Sequence, residues 1–301
     1  MRIHLLSLLA VFLLLSSTAR GLTLFEEVFD YPVGGSLPPV YFSSVPGLRG
    51  TITPGLTHQF AQLRDASLEL TAPGTELERK LSYGIPVNNR DQEQTATIYI
   101  STFIQINSIG GFGDGISGVA VFNEADPQKQ GFLLGTISTE VDGIRRESPV
   151  IGVGADPTGG SNSNDLAFDP NLNFEEGKAY FLIGRFDADL SGREGALRGY
   201  LKFYDSETPL PRVEPEEWDL TILRDKQWPL TERNKILDRV QLFRGNTATR
   251  TTLDEVRIVT SFSEVIDPVR IPEAKSTSLL LLFLTGMLGR SRRRRFDGSA
   301  D

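Results

Sequence analysis

Cysteine is absent from all 301 residues, and histidine (His4, His58) and tryptophan (Trp218, Trp228) each occur only twice. There is therefore no disulfide framework, no thiol nucleophile and no thiolate metal site, and a centre built on several imidazoles is excluded. Stability has to come from an ordinary apolar core, which about 250 residues suffice to build. Long apolar runs are scarce as well: Ile3–Leu15 lies near one end and Leu279–Gly289 near the other. Convincing long amphipathic helices are missing between them.

The first run follows Met1-Arg2, is apolar apart from His4 and Ser7, and leads into Ser16, Ser17, Thr18 and Ala19. These are the charged, hydrophobic and small-residue regions of a secretory signal peptide. Cleavage after Ala19 or after Gly21 satisfies the small-x-small rule equally, and either removes His4. The second run is preceded by Pro272-Glu273-Ala274 and followed by Arg290 and the block Arg292, Arg293, Arg294, Arg295. A proline stops regular structure, the apolar residues enter hydrocarbon, and the cations remain on the cytoplasmic side. The run is shorter than the ~20 residues that span a bilayer, and snorkelling arginine stems extend its reach.

This order of parts resembles the PEP-CTERM sorting signal of exported bacterial proteins, with Ala274 where that family has a second proline. The resemblance implies export, transient retention in the inner membrane, cleavage near the tripeptide by an exosortase-type processing enzyme, and delivery to the cell surface or extracellular matrix. A plain C-terminal anchor with a basic stop is the simpler alternative. The chain divides accordingly into a signal peptide (1–21), a body (22–270), a sorting segment (271–296) and a tail (297–301).

Lys and Arg number 31 against 39 Asp and Glu. Without Arg2 and Arg20 of the signal peptide, and without the six cations and three acids that follow Arg270, the body holds 23 cations and 36 acids. Its formal net charge of −13 repels nucleic acid and anionic lipid and leaves divalent cations at the surface as suitable company.

The body reads as short strands separated by turns. Leu22–Phe29 ends at a Pro/Gly cluster, Ser67–Thr71 alternates cleanly before Pro73-Gly74, and Thr95–Ile109 carries the longest β signal. Further strands are expected at Ile116–Asn123, Gly131–Ser138, Pro149–Val153, Asp165–Phe168, Leu237–Phe243 and Leu253–Thr260, with Ala179–Phe186 and Leu197–Tyr204 as a hairpin across Asp187–Gly195. Pro209–Pro229 reads as irregular and Thr231–Leu237 as one or two helical turns. Many short strands at such spacing specify an all-β antiparallel two-sheet sandwich. The pieces Gly118–Phe122, Ala179–Asp187, the opening Phe29-Asp-Tyr-Pro and the closing Leu253-Asp-Glu-Val-Arg-Ile-Val are similar to concanavalin A-like or laminin G-like jelly rolls. That resemblance implies a jelly-roll body flanked by the signal helix and the C-terminal hydrophobic helix, with the last strand returning beside the first. It speaks to fold, not to function.

Chemical motifs are sparse. Glucanases of this sandwich type carry alternating carboxylates on one strand, and retaining chemistry needs two of them about 5 Å apart. The nearest match, Glu140-Val-Asp142-Gly143-Ile-Arg145, has an arginine where the acid/base should stand and reads as a solvated hairpin. Asp187-Ala-Asp189-Leu-Ser191-Gly192 begins like an EF-hand loop, but its twelfth position is Arg198 and helices do not flank it. A hairpin tip is the better reading, with Asp187, Asp189 and Ser191 as a weak surface cation site that would take calcium. No other cofactor is indicated. His58 lacks a Ser-Asp pair by spacing, Gly110–Gly115 lacks the Lys-Ser/Thr of a phosphate cradle, and Trp218 and Trp228 serve either to stack on a sugar or to pin their Pro-rich segment. The expected protein is exported and non-enzymatic, with a structural or adhesive role in an envelope or exopolysaccharide matrix. A carbohydrate-binding module, marked by exposed aromatics on a concave face, is the alternative; a glycan-cleaving enzyme, marked by two facing carboxylates in a cleft, is the second.

Overall fold

Alternation of apolar side chains places Ile98, Ile100, Ile104 and Ile106 on one side of a single long strand and Tyr99 and Phe103 on the other, all of them buried. A strand that is apolar on both sides must be covered on both, and the architecture follows from that need. The computed structural model describes residues 22–35, 37, 41, 50–61, 63, 65–86, 95–110, 115–125, 131–155, 165–189, 197–224, 236–245 and 249–266. The signal segment, Trp228, residues 231–235 and the sorting segment, with the two flanking helices expected there, lie outside the described residues.

The strands are β1 (Thr23–Glu27), β2 (Thr51–Pro54), β3 (Ala66–Leu70), β4 (Thr75–Pro86), β5 (Thr95–Ser108), β6 (Ile116–Phe122) and β7 (Gly131–Val141), followed by β8 (Ile144–Ala155), β9 (Leu166–Phe168), β10 (Ala179–Asp189), β11 (Leu197–Tyr204), β12 (Leu220–Arg224), β13 (Ile236–Arg244) and β14 (Arg250–Val259). One short helix, α1, spans Phe262–Ile266. Among the described residues no helix is long and apolar enough to cross a membrane.

One sheet runs β12-β11-β10-β5-β14-β3-β2, with β1 also on β14, and the other runs β4-β13-β6-β7-β8-β9. Both are antiparallel throughout, and together they make the jelly-roll sandwich expected from the sequence. The closing strand returns beside the first: Phe25 pairs with Ile258 and Glu27 with Val256. The main core lies between the sheets, where Leu182, Phe186 and Leu201 of the larger meet Phe132, Leu134 and Ile151 of the smaller. A second cluster covers the outer face of the larger sheet: Phe103, Phe181 and Ile183 pack under Leu56, Leu210, Phe262 and Val265. The cover is thus made by residues 54–65, the segment 205–219 and α1.

Three sequence expectations are corrected. The Pro-rich stretch is not wholly irregular, since Leu220–Arg224 forms β12. Ile236, expected within a helical turn, opens β13 instead, while Leu237 belongs to the strand as the Leu237–Phe243 reading has it, fully buried in the core and paired with Ile85. Asp187 and Asp189 belong to β10 and do not form the hairpin tip. The Asp142-Gly143 turn is as read. Both residues take positive φ, 54° at Asp142 and 77° at Gly143. A two-residue primed turn between right-twisted strands requires that conformation.

Two side chains hold otherwise strained or separated backbone. Glu27, 4% exposed, accepts the Phe29 N–H at 2.9 Å where Phe29 adopts φ 50°, together with the Tyr41 hydroxyl at 2.7 Å. It also pairs at 3.1 Å with Arg79 of β4, so it clasps the edges of the two sheets. Asp254 accepts the N–H of Leu56 at 3.2 Å and of Glu255 at 2.9 Å, which fixes the bulge of β14 and the foot of the covering loop.

Burial pushes the Asp254 carboxyl up to about 8, against the pull of those two N–H groups. Its contribution to stability is therefore present below the ordinary carboxyl value of 3.8 and is lost as pH rises through about 8. Asp254→Asn should abolish that loss. In denaturation curves taken from pH 4 to 8 the parent should weaken relative to the variant, by at most about 1.4 kcal/mol per pH unit; parallel curves would refute the assignment.

Candidate functional site on the outer face of the larger sheet

Register across β5, β10, β11 and β12 sets two rows of side chains on one face. Tyr99, Arg185, Tyr200 and Thr221 form one row; Thr97, Asp187, Arg198 and Leu223 form the next. Arg198, Thr221 and Leu223 are exposed, while Arg185 and Tyr200 are half-buried. Segment 205–219 crosses beside them and contributes Glu214 and Trp218. It is fastened by Asp219, whose carboxylate accepts the Phe203 N–H at 2.9 Å and pairs with Lys202 at 2.7 Å.

Arg185 stands at the centre. Its guanidinium pairs with Asp187 at 2.9 Å and with Glu214 at 2.6 Å, and its Cζ lies 5.6 Å from the Tyr200 ring centroid. Thr97 donates to Asp187 at 2.7 Å and the Tyr99 hydroxyl to Glu214 at 3.0 Å. Burial opposes charge on Arg185, but the hydrogen bonds and charges of Asp187 and Glu214 outweigh it and hold the guanidinium above its ordinary value. Burial, reinforced by Glu214, likewise pushes the Tyr99 phenol up. Trp218 lies 5.9 Å from Tyr200 with the ring planes inclined at 46°, and it also packs against the second cluster. Each convergent carboxylate here already has a cation, so the arrangement suits stacking and hydrogen bonding better than proton transfer.

The residues singled out in sequence scatter over the molecule. Glu140 faces Arg145 across the β7–β8 hairpin, a solvated cross-strand pair. Asp187 joins the platform, where Arg185 and Thr97 engage it; the side chain of Asp189 and all of Ser191 lie outside the described residues. Among the described residues no group of three His, Cys, Asp or Glu is placed to hold a metal. Trp218 pins its segment as one of the two sequence readings has it, and His58 is a satisfied interior histidine. The sorting residues Pro272, Glu273, Ala274 and Arg292–Arg295, and the cleavage positions Ala19 and Gly21, lie outside the described residues.

Sequence reading missed Arg185, Tyr200 and Glu214. Arg185 and Tyr200 do carry the period-2 signal of outward-facing strand positions, but Glu214 comes from a segment without periodicity. A second convergence was missed as well, because the same-face spacing of Glu76 and Glu78 has meaning only once Thr75–Pro86 is known to be β4. Both accept from Gln241 Nε2, Glu76 at 3.1 Å and Glu78 at 3.2 Å.

The fold is an antiparallel two-sheet jelly-roll sandwich, and this face is a built outer surface on its larger sheet. No family model matches the chain, and no curated protein matches it. Among solved structures it is similar to the globular domain of T. cruzi calreticulin (13% identity, TM-score 0.42, covering 89% of this chain and 100% of that one). It is also similar to an alginate lyase in complex with an alginate trisaccharide (11%, 0.43, 78% and 96%) and to the Lotus tetragonolobus seed lectin (11%, 0.41, 78% and 96%). At such identities and TM-scores the likeness bears on neither ligand nor chemistry.

Arg185→Met keeps the aliphatic stem and deletes the charge, leaving Asp187 and Glu214 without their common partner. The expected result is a loss of about 1–3 kcal/mol in chemical denaturation and a red shift of tryptophan emission as Trp218 loosens. An unchanged emission spectrum would show that Arg185 does not hold the segment.

Proposed function

We propose that this chain is an exported cell-surface or extracellular-matrix protein with a structural or adhesive role, sorted through its C-terminal signal and contacting polysaccharide through the platform around Tyr200 and Trp218. The observation that carries the reading is the paired aromatic rings set beside an arginine that neutralises both neighbouring carboxylates: sugars are held by stacking and by fixed hydrogen-bonding groups, whereas glycoside cleavage needs an acid that still has a proton to give. The strong negative charge of the body favours a neutral glycan over an acidic one. Rings inclined to each other suit a soluble, twisted chain better than a flat crystalline surface.

Glycan-array binding of the purified protein, compared with Tyr200→Ala and Trp218→Ala, tests the contact. Binding to soluble neutral glycans that falls at least tenfold in both variants is expected, with no release of reducing sugar. Binding unaffected by either substitution would remove the platform from the function, and turnover would replace adhesion by catalysis.

Sorting has its own measurement. Export by the segment 1–21, transient retention by 279–289 and cutting near Pro272-Glu273 by an exosortase-type enzyme predict a surface form without Arg292–Arg295. Mass spectrometry of surface material that still carries those arginines would mean a plain anchor, with Ala274 as the reason the signal is not processed.

A further inference from the structure

His58 sits where the two loops that cover the larger sheet meet. It is 3% exposed, edge-on to Phe103 at 5.3 Å and to Phe60 at 6.5 Å. Its two ring nitrogens have opposite duties. Nδ1 accepts the backbone N–H of Phe60 at 3.3 Å, within its own loop. Because Nδ1 is an acceptor, the single proton of the neutral ring belongs on Nε2. Nε2 then donates to the carbonyl of Asp205 at 3.0 Å. Asp205 opens the segment that carries Glu214 and Trp218, and its own carboxylate fixes the turn there through the Thr208 hydroxyl and the Glu207 N–H.

A proton arriving from solvent has one place to bind, Nδ1. The imidazolium then has an N–H on each nitrogen, so the Phe60 N–H loses its acceptor and faces a donor. A full positive charge also appears in an apolar setting, which is costly. Strand β5 presents Phe103 with Phe181 of β10 behind it, and α1 presents Phe262 and Val265 to the same cluster. The nearby acids compensate little. The Asp205 carbonyl, as acceptor from Nε2–H, favours the charged ring, and so does the Asp205 carboxylate, which is already committed to its own turn; Asp254, which holds Leu56 of the same loop, keeps its proton up to about 8; Asp65 stands at the foot of the loop. Burial dominates and pushes the His58 ring below its ordinary value of 6.5. A cleft of about 410 Å³, lined by His58, Leu56, Thr57, Ala61, Leu63 and Asp65, opens beside the residue.

We propose that His58 is an acid-operated latch on the outer-face platform, joining the covering loop to segment 205–219 while its ring is neutral and releasing both when Nδ1 takes a proton and the charged ring leaves its apolar seat for the cleft, because only its departure breaks the Nε2–H bond to Asp205. Release frees the Asp205 end of the segment, which Glu214 and Asp219 still hold farther along, and so loosens the packing of Trp218 on the cluster beneath the cover. The latch regulates the platform described above, but it does not depend on what that platform binds, and its test needs no glycan.

The full chain, labelled with ¹⁵N in histidine, is titrated from pH 8 to pH 4.5 and followed by imidazole NMR, tryptophan emission and far-UV circular dichroism. Of its two histidines, His58 is the one whose signals vanish in His58→Gln, which still donates to Asp205 but does not titrate. The expected result is the Nε2–H tautomer at neutral pH, a His58 midpoint below 6.5, and an emission change with the same midpoint while the β signal of circular dichroism is intact. In His58→Gln the emission should be flat over that range. An Nδ1–H tautomer, an emission change that persists in the variant, emission that stays constant while His58 titrates, or loss of the β signal together with emission would each overturn the latch. The coincidence of midpoints is read in the unaltered chain, so the proposal is decided even if the variant does not fold.

Discussion

Strand β14 has to serve three neighbours with two edges, and the rest of the sandwich depends on how it does so. One edge pairs with β5 along nearly its whole length; the other pairs with β3 through Thr251–Leu253 and with β1 through Val256–Val259. The change of partner falls at Asp254 and Glu255, where the register with β5 slips and Glu255 takes φ 47°. A non-glycine residue in that region costs about 1–3 kcal/mol, so it persists only when its surroundings fix it. Asp254 caps the Glu255 N–H, while Glu255 and Glu26 both pair with Arg257, which is 3% exposed. The Asp-Glu-hydrophobic-Arg-Ile pattern of this strand thereby acquires a physical content: one residue to cap the bulge, one to occupy it, and one cation to tie it to the first strand. The extra residue also keeps Leu253, Val256 and Ile258 in the main core on both sides of the slip.

The same bulge sets up the outer face. The second oxygen of Asp254 holds the Leu56 N–H and so places the covering loop over Phe103 and Phe181, with His58 wedged between that loop and Asp205. Farther along, where the cover ends, β10 and β11 turn from apolar to polar outward residues. There Arg185 takes over the role of fastening segment 205–219, through Glu214, while Trp218 reaches back to the cluster. Cover and platform are parts of one construction, held at one end by a buried carboxyl and a neutral imidazole and at the other by a guanidinium.

What was legible in the sequence is what local periodicity records. Thr95–Ile109 and the hairpins were visible because alternation and turn residues are short-range signals, whereas the return of the last strand to the first, a long-range pairing, was implied only by the resemblance of the closing motif. Strand β4 was not: Glu76, Glu78 and Lys80 point outward, but the inward positions read Leu77, Arg79, Leu81, and an inward arginine breaks the pattern. Only the fold explains it, since Arg79 meets Glu27 of the other sheet and lies 5.4 Å from the ring of Phe25. Strand β12 was hidden by neighbouring prolines, and Thr51–Pro54 by its length of four. The platform was half legible. Asp187 and Trp218 drew notice for calcium and sugar chemistry, but their actual partners, Arg185 and Tyr200, come together through the register of paired strands, which no single stretch of sequence encodes.

The distribution of carboxyl groups separates two kinds of environment. Asp254 and Glu147 are enclosed, and burial raises both; Glu147 is 1% exposed and accepts from the hydroxyls of Ser138 and Thr249 at one end of the core. Carboxyls raised by burial are the kind that serve as general acids, but these two face backbone N–H groups and buried hydroxyls. The carboxylates that do reach the outer face, Asp187 and Glu214, share a guanidinium. Of these four described carboxyl groups, the two raised by burial are enclosed and the two at the outer face are paired. What the platform presents to solvent is therefore aromatic ring and hydrogen-bonding groups around an already neutralised centre.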